Sequence, residues 1–488
     1  MPPLTSLTDE ARIAFDTVTG RAANLFSPSV RLGVSGLSRA GKTVFISSLV
    51  QNLIHGGRLP MFEARKSGRI AKAYLQHQPD DAVPRFQYED HIAALVNERV
   101  WPESTRAISE LRLTVEYESA STWNRMFSAG SLSIDIVDYP GEWLLDLPLL
   151  GKSYDDFSRE AFELAALPVR AELSENWRKR AEAADADAPA DETQARQLFE
   201  AFADYLRACK QDERALSTLP PGRFLMPGDL EGSPALTFAP LPPSKQPAKP
   251  GSLRAVMARR YESYKTHVVK PFFREHITRL DRQIVLVDVM QAINAGSAAV
   301  ADLERAMTEI LECFRPGRGN PFIDLFSRRI DRILVAATKA DHIHHTEHDK
   351  LEAIVRRLAE RAIARANFSG ATVEAVAMAA VRATREGTVK NGRDTLPVII
   401  GTPMKGETIG EETFDGKTET AVFPGDLPDK PSRLFRTDGA HGDQHDNELR
   451  FVRFKPPKLE ESAEGLKLSL PHVRLDRALQ FLLGDRLA

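Results

Sequence analysis

Along the chain, short unbroken apolar runs alternate with longer stretches whose apolar positions recur at helical spacing. Residues 30–35, with Val30, Leu32 and Val34 apolar, read as the first short buried strand. After Thr43, the residues Phe45, Ile46, Leu49, Val50 and Leu53 fall on one helical face. The spacing predicts further helices over 7–26, 70–78 and 88–98. Residues 111–117 alternate apolar with polar, as a strand with one wet face should, and 132–138 form a second strand. The connection rich in Ser, Ala, Asn and Gly between them (118–131) predicts an antiparallel pair. Residues 283–289, with the apolar run 284–287 at their heart, and 333–337 show the pattern of strands buried on both faces. A helix over 298–315 separates them. A helix over 350–367 then leads to an Ala- and Val-rich strand over 371–380. Strands alternating with crossover helices predict an α/β fold, a mostly parallel sheet with helices on both faces.

From 145 to about 278 the pattern changes. Helices are predicted over 157–167, 195–209 and 252–280, the last interrupted at Pro271, with an acidic low-complexity connector at 181–192. Residues 220–250 are rich in Pro and Gly and read as loop. The chain therefore divides into 1–144, a helical insertion over 145–282, a return to the strand–helix pattern over 283–400, and a small α+β extension over 401–488. Short strands at 398–400 and 449–454 and a closing helix over 475–483 are expected in this last part.

Composition narrows the functional class. The 488 residues are 42% apolar and 27% charged, with a formal net charge of −3, which argues against a general nucleic-acid binder. Cys209 and Cys313 are the only cysteines and fit no metal or redox spacing, pointing to a reducing compartment. No apolar run is long enough for a membrane span and no secretory signal pattern opens the chain, so the expected location is cytoplasmic.

The chemistry gathers at Gly36-Leu37-Ser38-Arg39-Ala40-Gly41-Lys42-Thr43. This is G-x-x-x-x-G-K-[ST], with a strand before it and a helix after it, the context a phosphate-binding loop needs. Its backbone N–H groups would surround phosphates at a helix N-terminus. Lys42 would reach the β- and γ-phosphates, and the Thr43 hydroxyl would bind Mg²⁺. Downstream, Asp138-Tyr139-Pro140-Gly141 places D-x-x-G at the end of a strand. The Asp138 carboxylate suits a Mg²⁺ shell, and the Gly141 N–H can approach a γ-phosphate because no side chain blocks it.

Phosphate loop, Thr105, D-x-x-G and Thr338-Lys339-Ala340-Asp341 follow the order of a Ras-like GTPase. The chain resembles, over nearly its whole length, the bacterial YcjX family of P-loop NTPases. The residues that carry this are the phosphate loop, Trp-Pro-Glu-Ser-Thr-Arg (101–106), Asp-Tyr-Pro-Gly-Glu-Trp (138–143), Asp-Arg-Gln-Ile-Val-Leu-Val-Asp (281–288) and Val-Arg-Ala-Thr (381–384). The resemblance implies a Mg²⁺-dependent switch protein for GTP and GDP, associated with stress and encoded beside an inner-membrane protein. A partner at the inner membrane, met through the 145–282 insertion, follows from it as an expectation.

Matched to the GTPase pattern, Asp341 would accept from the guanine ring N–H and exocyclic amine, with the Lys339 stem along the base and a backbone N–H supplied at Ala379-Ala380. Thr338 stands where Asn is usual, which keeps ATP open as the alternative nucleotide. Thr105 matches the switch threonine that engages Mg²⁺ and γ-phosphate, with Ser104 as its competitor. Glu142 occupies the position of the water-orienting Gln, where a carboxylate would repel the γ-phosphate unless screened or turned away. Arg39 matches the built-in arginine of guanylate-binding proteins, against the plainer reading of a solvated loop arginine. A nucleotide-holding scaffold with vestigial hydrolysis is the other class of function.

Two polar clusters have bland readings. His342, His344, His345 and His348 read as a solvated turn, as do His441, Asp443, His445 and Asp446. Between 252 and 282, eight Lys and Arg face three Asp and Glu. They read either as a basic face for anionic lipid or an acidic partner, or as a solvated face paired with the acidic 182–192 connector.

Overall fold

The computed structural model describes residues 28–488 apart from 38, 104–106, 120–129, 213–217, 228–229, 245, 315–329, 362, 365–370, 392–393, 436–448 and 460–468. The helix expected over 7–26 and the His441–Asp446 cluster lie outside the described residues.

Seven strands form the central sheet: β1 (Ser29–Gly36), β2 (Ile70–Gln76), β3 (Ser109–Tyr117), β4 (Gly130–Asp138), β5 (Arg282–Val287), β6 (Arg332–Ala337) and β7 (Thr372–Ala377). Their spatial order is β2-β3-β4-β1-β5-β6-β7. β1 pairs in parallel with β4 and β5, and β5–β6 and β6–β7 are parallel too. β3 and β4 form the expected antiparallel pair.

Why β5 sits in the interior of the sheet can be read from its side chains. Ile284 and Leu286 point into one core, while Val285 and Val287 point into the other. Each such burial contributes about 1.5–3 kcal/mol, so both faces must be covered. Helix α1 (Lys42–Ile54) covers the first face through Phe45, Ile46, Leu49 and Val50. The closing helix (Leu475–Leu483) joins it there through Leu475, Leu479 and Leu482. Helices Ser297–Cys313 and His348–Leu358 cover the second.

Residues 70–78 do not form the helix their spacing suggests. They make edge strand β2, paired antiparallel to β3 with a register shift between Ile70 and Lys72. The bulge breaks the two-residue alternation and turns both Ile70 and Ala73 inward. Two buried positions three apart imitate a helix. The strand expected over 449–454 is reduced to a single bridge between Pro403 and Phe454.

Between β4 and β5 the chain turns through a 3₁₀ segment, Gly141–Gly151, into helices Tyr154–Ala165, Glu175–Ala183, α2 (Glu192–Gln211) and α3 (Leu253–Tyr264). Side chains of Ser153, Asp191 and Ser252 cap three of these helices. An aromatic core holds them together: Trp177 stacks on Tyr205, and Phe157 on Tyr261. A wide turn at Lys265–Val269 directly precedes Pro271, which lacks the N–H a regular helix would require. The basic residues of 252–282 are partly consumed internally. Arg254 meets Asp155, Arg260 meets Glu192 of the acidic connector, and Arg282 meets Asp331 and Asp485. Arg259, Arg274 and Arg279 remain exposed.

Candidate functional site

β1 ends at Gly36 and α1 begins at Lys42, so the five residues between them must reverse direction tightly. Arg39 (φ 63°) and Gly41 (φ 82°) both adopt left-handed backbone. At Gly41 there is open space where a Cβ would stand, so backbone geometry, not crowding, demands glycine there. Gly36 and Gly141 are glycine for the other reason. A Cβ on Gly36 would lie 2.7 Å from the Leu286 carbonyl oxygen, and one on Gly141 only 1.6 Å from the Gly36 carbonyl oxygen. Lys42 is buried, and its ammonium donates to that same Gly36 oxygen at 3.1 Å. The Thr43 hydroxyl donates to the Glu103 carbonyl at 3.4 Å. Asp138 is 1% exposed, at the end of β4 and in register with Val34 of β1. Ser38, Ser104 and Thr105 lie outside the described residues.

Beneath the loop runs a buried polar relay. The Tyr139 hydroxyl donates to Gln283 Oε1 at 2.9 Å, and Gln283 Nε2 donates to Ser35 Oγ at 2.8 Å. A Cβ on Gly33 would fall 2.3 Å from the Gln283 oxygen, so Gly33 makes room for this relay. It ties β1, β5 and the D-x-x-G segment into one unit.

The opposite wall comes from the end of β6. Lys339 has left-handed backbone (φ 60°), and its ammonium is paired with Asp288. The Thr338 hydroxyl donates to the Val287 carbonyl at 3.4 Å, a link that pins the turn to β5. Asp341 is 4% exposed; its Oδ2 accepts from the Ala383 N–H at 2.7 Å, and the Thr384 hydroxyl donates to its carbonyl. Ala380 is tied to α1, because the Ser48 hydroxyl donates to its carbonyl. The residues that fix Asp341 are thus Ala383 and Thr384, which the sequence did not single out for this task.

These elements enclose a cavity of about 320 Å³. Arg39, Ala40, Gly41, Lys42 and Thr43 line one end, and Thr338, Lys339, Asp341 and Ala380 the other. Its third wall was not legible in the sequence. Trp101 donates through Nε1 to the Phe454 carbonyl at 2.6 Å, and Met404, Arg453 and Phe454 close over the cavity from the C-terminal extension. Only tertiary contact between residues 353 positions apart creates this wall. A second cavity of about 530 Å³ adjoins it and shares Arg39, Lys339, His342 and Arg453.

Glu142 does not line this cavity, but it lies close enough to feel the Lys42 charge. Its carboxylate lies 2.9 Å from the Lys210 ammonium, with its side chain 4% exposed. Burial pushes its pKa up, but Lys42 and Lys210 outweigh that and hold it below the usual carboxylate range. The histidines divide against expectation: His342 is buried edge-on to Phe454, and His348 is hydrogen-bonded to the Ala340 carbonyl. His344, His345 and Glu386 bring three donor atoms within 4.8 Å of one another near the surface.

Together, the strand order, the glycine loop and the carboxylate–glycine pair packed against it define a P-loop nucleoside triphosphatase fold of Ras-like type. The model of the YcjX-like family, DUF463, matches residues 30–487, and the chain belongs to that family. It is 37% identical over 471 residues to "Ras-like GTPase YcjX" of Escherichia coli, covering 94% of this chain and 96% of that protein. It is 33% identical over 479 residues to a protein of the same name from Shewanella oneidensis, covering 94% of each. No helix among the described residues is long and apolar enough to cross a membrane.

Proposed function

We propose that this protein binds GTP and GDP with Mg²⁺ and hydrolyses GTP, working as a stress-associated switch in the cytoplasm. The observation that carries the reading is one cavity with the buried cation Lys42 at one end and the buried carboxylate Asp341 at the other. The triphosphate belongs at the Lys42 end. At the other end, guanine offers a ring N–H and an amine to Asp341; adenine offers no such pair of donors and would leave the carboxylate with only the Ala383 N–H it already accepts. The relatives named Ras-like GTPases support the same base.

The donor set fits Mg²⁺, since the Thr43 hydroxyl, in the first turn of α1, and the Asp138 carboxylate, at the end of β4, are hard oxygen ligands. When bound, the ion would neutralise charge on the β- and γ-phosphates. Lys42 holds the same oxygens, Arg39 reaches toward them from the loop, and Glu142 accepts a hydrogen bond from the attacking water. Water adds to the γ-phosphorus, the bond to the β–γ bridging oxygen breaks, and GDP and phosphate leave.

Competition binding with GTP, ATP and GDP, together with turnover under excess GTP, tests this. GTP is expected to outcompete ATP and to be turned over repeatedly, and Lys42→Ala should abolish triphosphate binding. Selection of ATP, or wild-type affinity in Lys42→Ala, overturns the reading. Tight GTP binding without turnover would instead support a scaffold.

A further inference from the structure

A carboxylate beside an incoming γ-phosphate is an electrostatic problem that the sequence poses and does not solve. The fold brings an answer from outside the GTPase core. Lys210, in the last turn of α2, reaches Glu142 at 2.9 Å, with 27% of its own side chain exposed. The contact is part of a broader grip on the segment after D-x-x-G. Asp146 accepts from the Gly222 N–H at 2.7 Å, the Arg223 N–H at 3.2 Å and the Tyr264 hydroxyl at 2.7 Å. The Arg223 guanidinium lies 3.2 Å from the centre of the Trp143 ring. A Cβ on Gly222 would stand 1.9 Å from the Glu142 carbonyl oxygen, so the two backbones touch.

We propose that Lys210 is a positioning residue for the triphosphate state: it pairs with Glu142 so that a carboxylate can occupy the switch segment beside the γ-phosphate. This rests on the nucleotide reading above. Lys42 cannot do the same work, because its ammonium is needed at the phosphates. A buried carboxylate left without its partner would act on the added γ-charge across a low-dielectric gap, whereas a diphosphate, lacking that charge, would feel it far less. The insertion is thereby a component of the phosphate site, and its position decides whether triphosphate is tolerated.

The test compares Kd for Mg–GDP with Kd for Mg and a non-hydrolysable GTP analogue. Lys210→Met should weaken the analogue relative to GDP by about tenfold or more, with kcat falling as well. Lys210→Arg should keep the parent ratio. Glu142→Gln, which leaves Lys210 unopposed, should shift the ratio toward triphosphate, and the double variant should return it to the parent value. A purely structural role would weaken both nucleotides alike. If Lys210→Met does not fold, Glu142→Gln and the double variant decide: no shift in the first, or none restored in the second, overturns the proposal. So does faster hydrolysis in Lys210→Met. GDP binding by the parent protein confirms the site independently, so a parent that binds neither nucleotide refutes the nucleotide reading instead.

Discussion

Gly141 lies directly on Gly36: a methyl group at Gly141 would stand 1.6 Å from the Gly36 carbonyl oxygen. The glycine of D-x-x-G is therefore already seated on the first residue of the phosphate loop. That same oxygen accepts the Lys42 ammonium at 3.1 Å. Entry of a phosphate that draws Lys42 away must alter the surroundings of Gly141, and through Trp143 and Asp146 those of the insertion. Hydrogen exchange over 145–280 should accordingly differ between diphosphate and non-hydrolysable triphosphate states. Identical exchange would favour a static scaffold.

The two glycines of the site should respond differently to alanine. Gly41→Ala meets no atoms and carries only left-handed backbone strain, roughly 1–2 kcal/mol. Gly141→Ala drives a methyl into rigid backbone and should exceed the usual overpacking loss of about 1–3 kcal/mol. Chemical denaturation of both variants checks the order; equal losses would mean that the loop moves freely off Gly36.

Asp341→Asn should change base choice without dislodging the turn. The amide oxygen can still accept from the Ala383 N–H, leaving an N–H donor where guanine presents donors. GTP affinity should fall and xanthosine triphosphate should gain relative to it, read by competition binding. Unchanged preference would remove Asp341 from the base site.

Arg39 combines exposure with left-handed backbone, an unusual conformation for a side chain of its size. Arg39→Gly should relieve strain of roughly 1 kcal/mol, yet slow GTP turnover by about tenfold or more as a lost built-in finger. GTP affinity should stay within a few-fold, because the guanidinium contact tightens mainly in the transition state. Arg39→Lys should not rescue turnover, since an ammonium lacks the planar fork. Turnover at the parent rate in Arg39→Gly would refute the finger.

Asp146 gives the clamp a pH dependence. Burial raises its pKa to about 6, outweighing the hydrogen bonds from Tyr264, Gly222 and Arg223 and the Arg223 charge. An acid with a raised folded pKa contributes stability that is present below its unfolded value near 4 and lost as pH rises through 6. That component amounts to about 2–3 kcal/mol. Denaturation midpoints between pH 4 and 7 should show it in the parent protein, and Asp146→Asn should remove it. Parallel pH profiles for the two would show that Asp146 keeps an ordinary pKa.

Local signals sufficed wherever a structural feature depends on neighbours in the chain. The phosphate loop, D-x-x-G after its strand, the T-K-x-D turn, the antiparallel pair and the closing helix are all short-range patterns, because strand and helix periodicities and glycine turns are set within a few residues. Ile70 and Ala73 misled that reading, since a bulge specified by pairing with β3 imitates helical spacing. What local pattern could not supply were contacts closed by the fold across long stretches of chain. Lys210 lies on a helical insertion, yet it faces Glu142 because Asp146, Gly222 and Tyr264 fasten that insertion to the switch segment. Phe454 and Arg453 sit in a stretch with little regular structure, yet they wall the cavity because Trp101 bonds the Phe454 backbone. A buried ion pair and a cavity wall each require two surfaces, and only tertiary packing decides which surfaces meet.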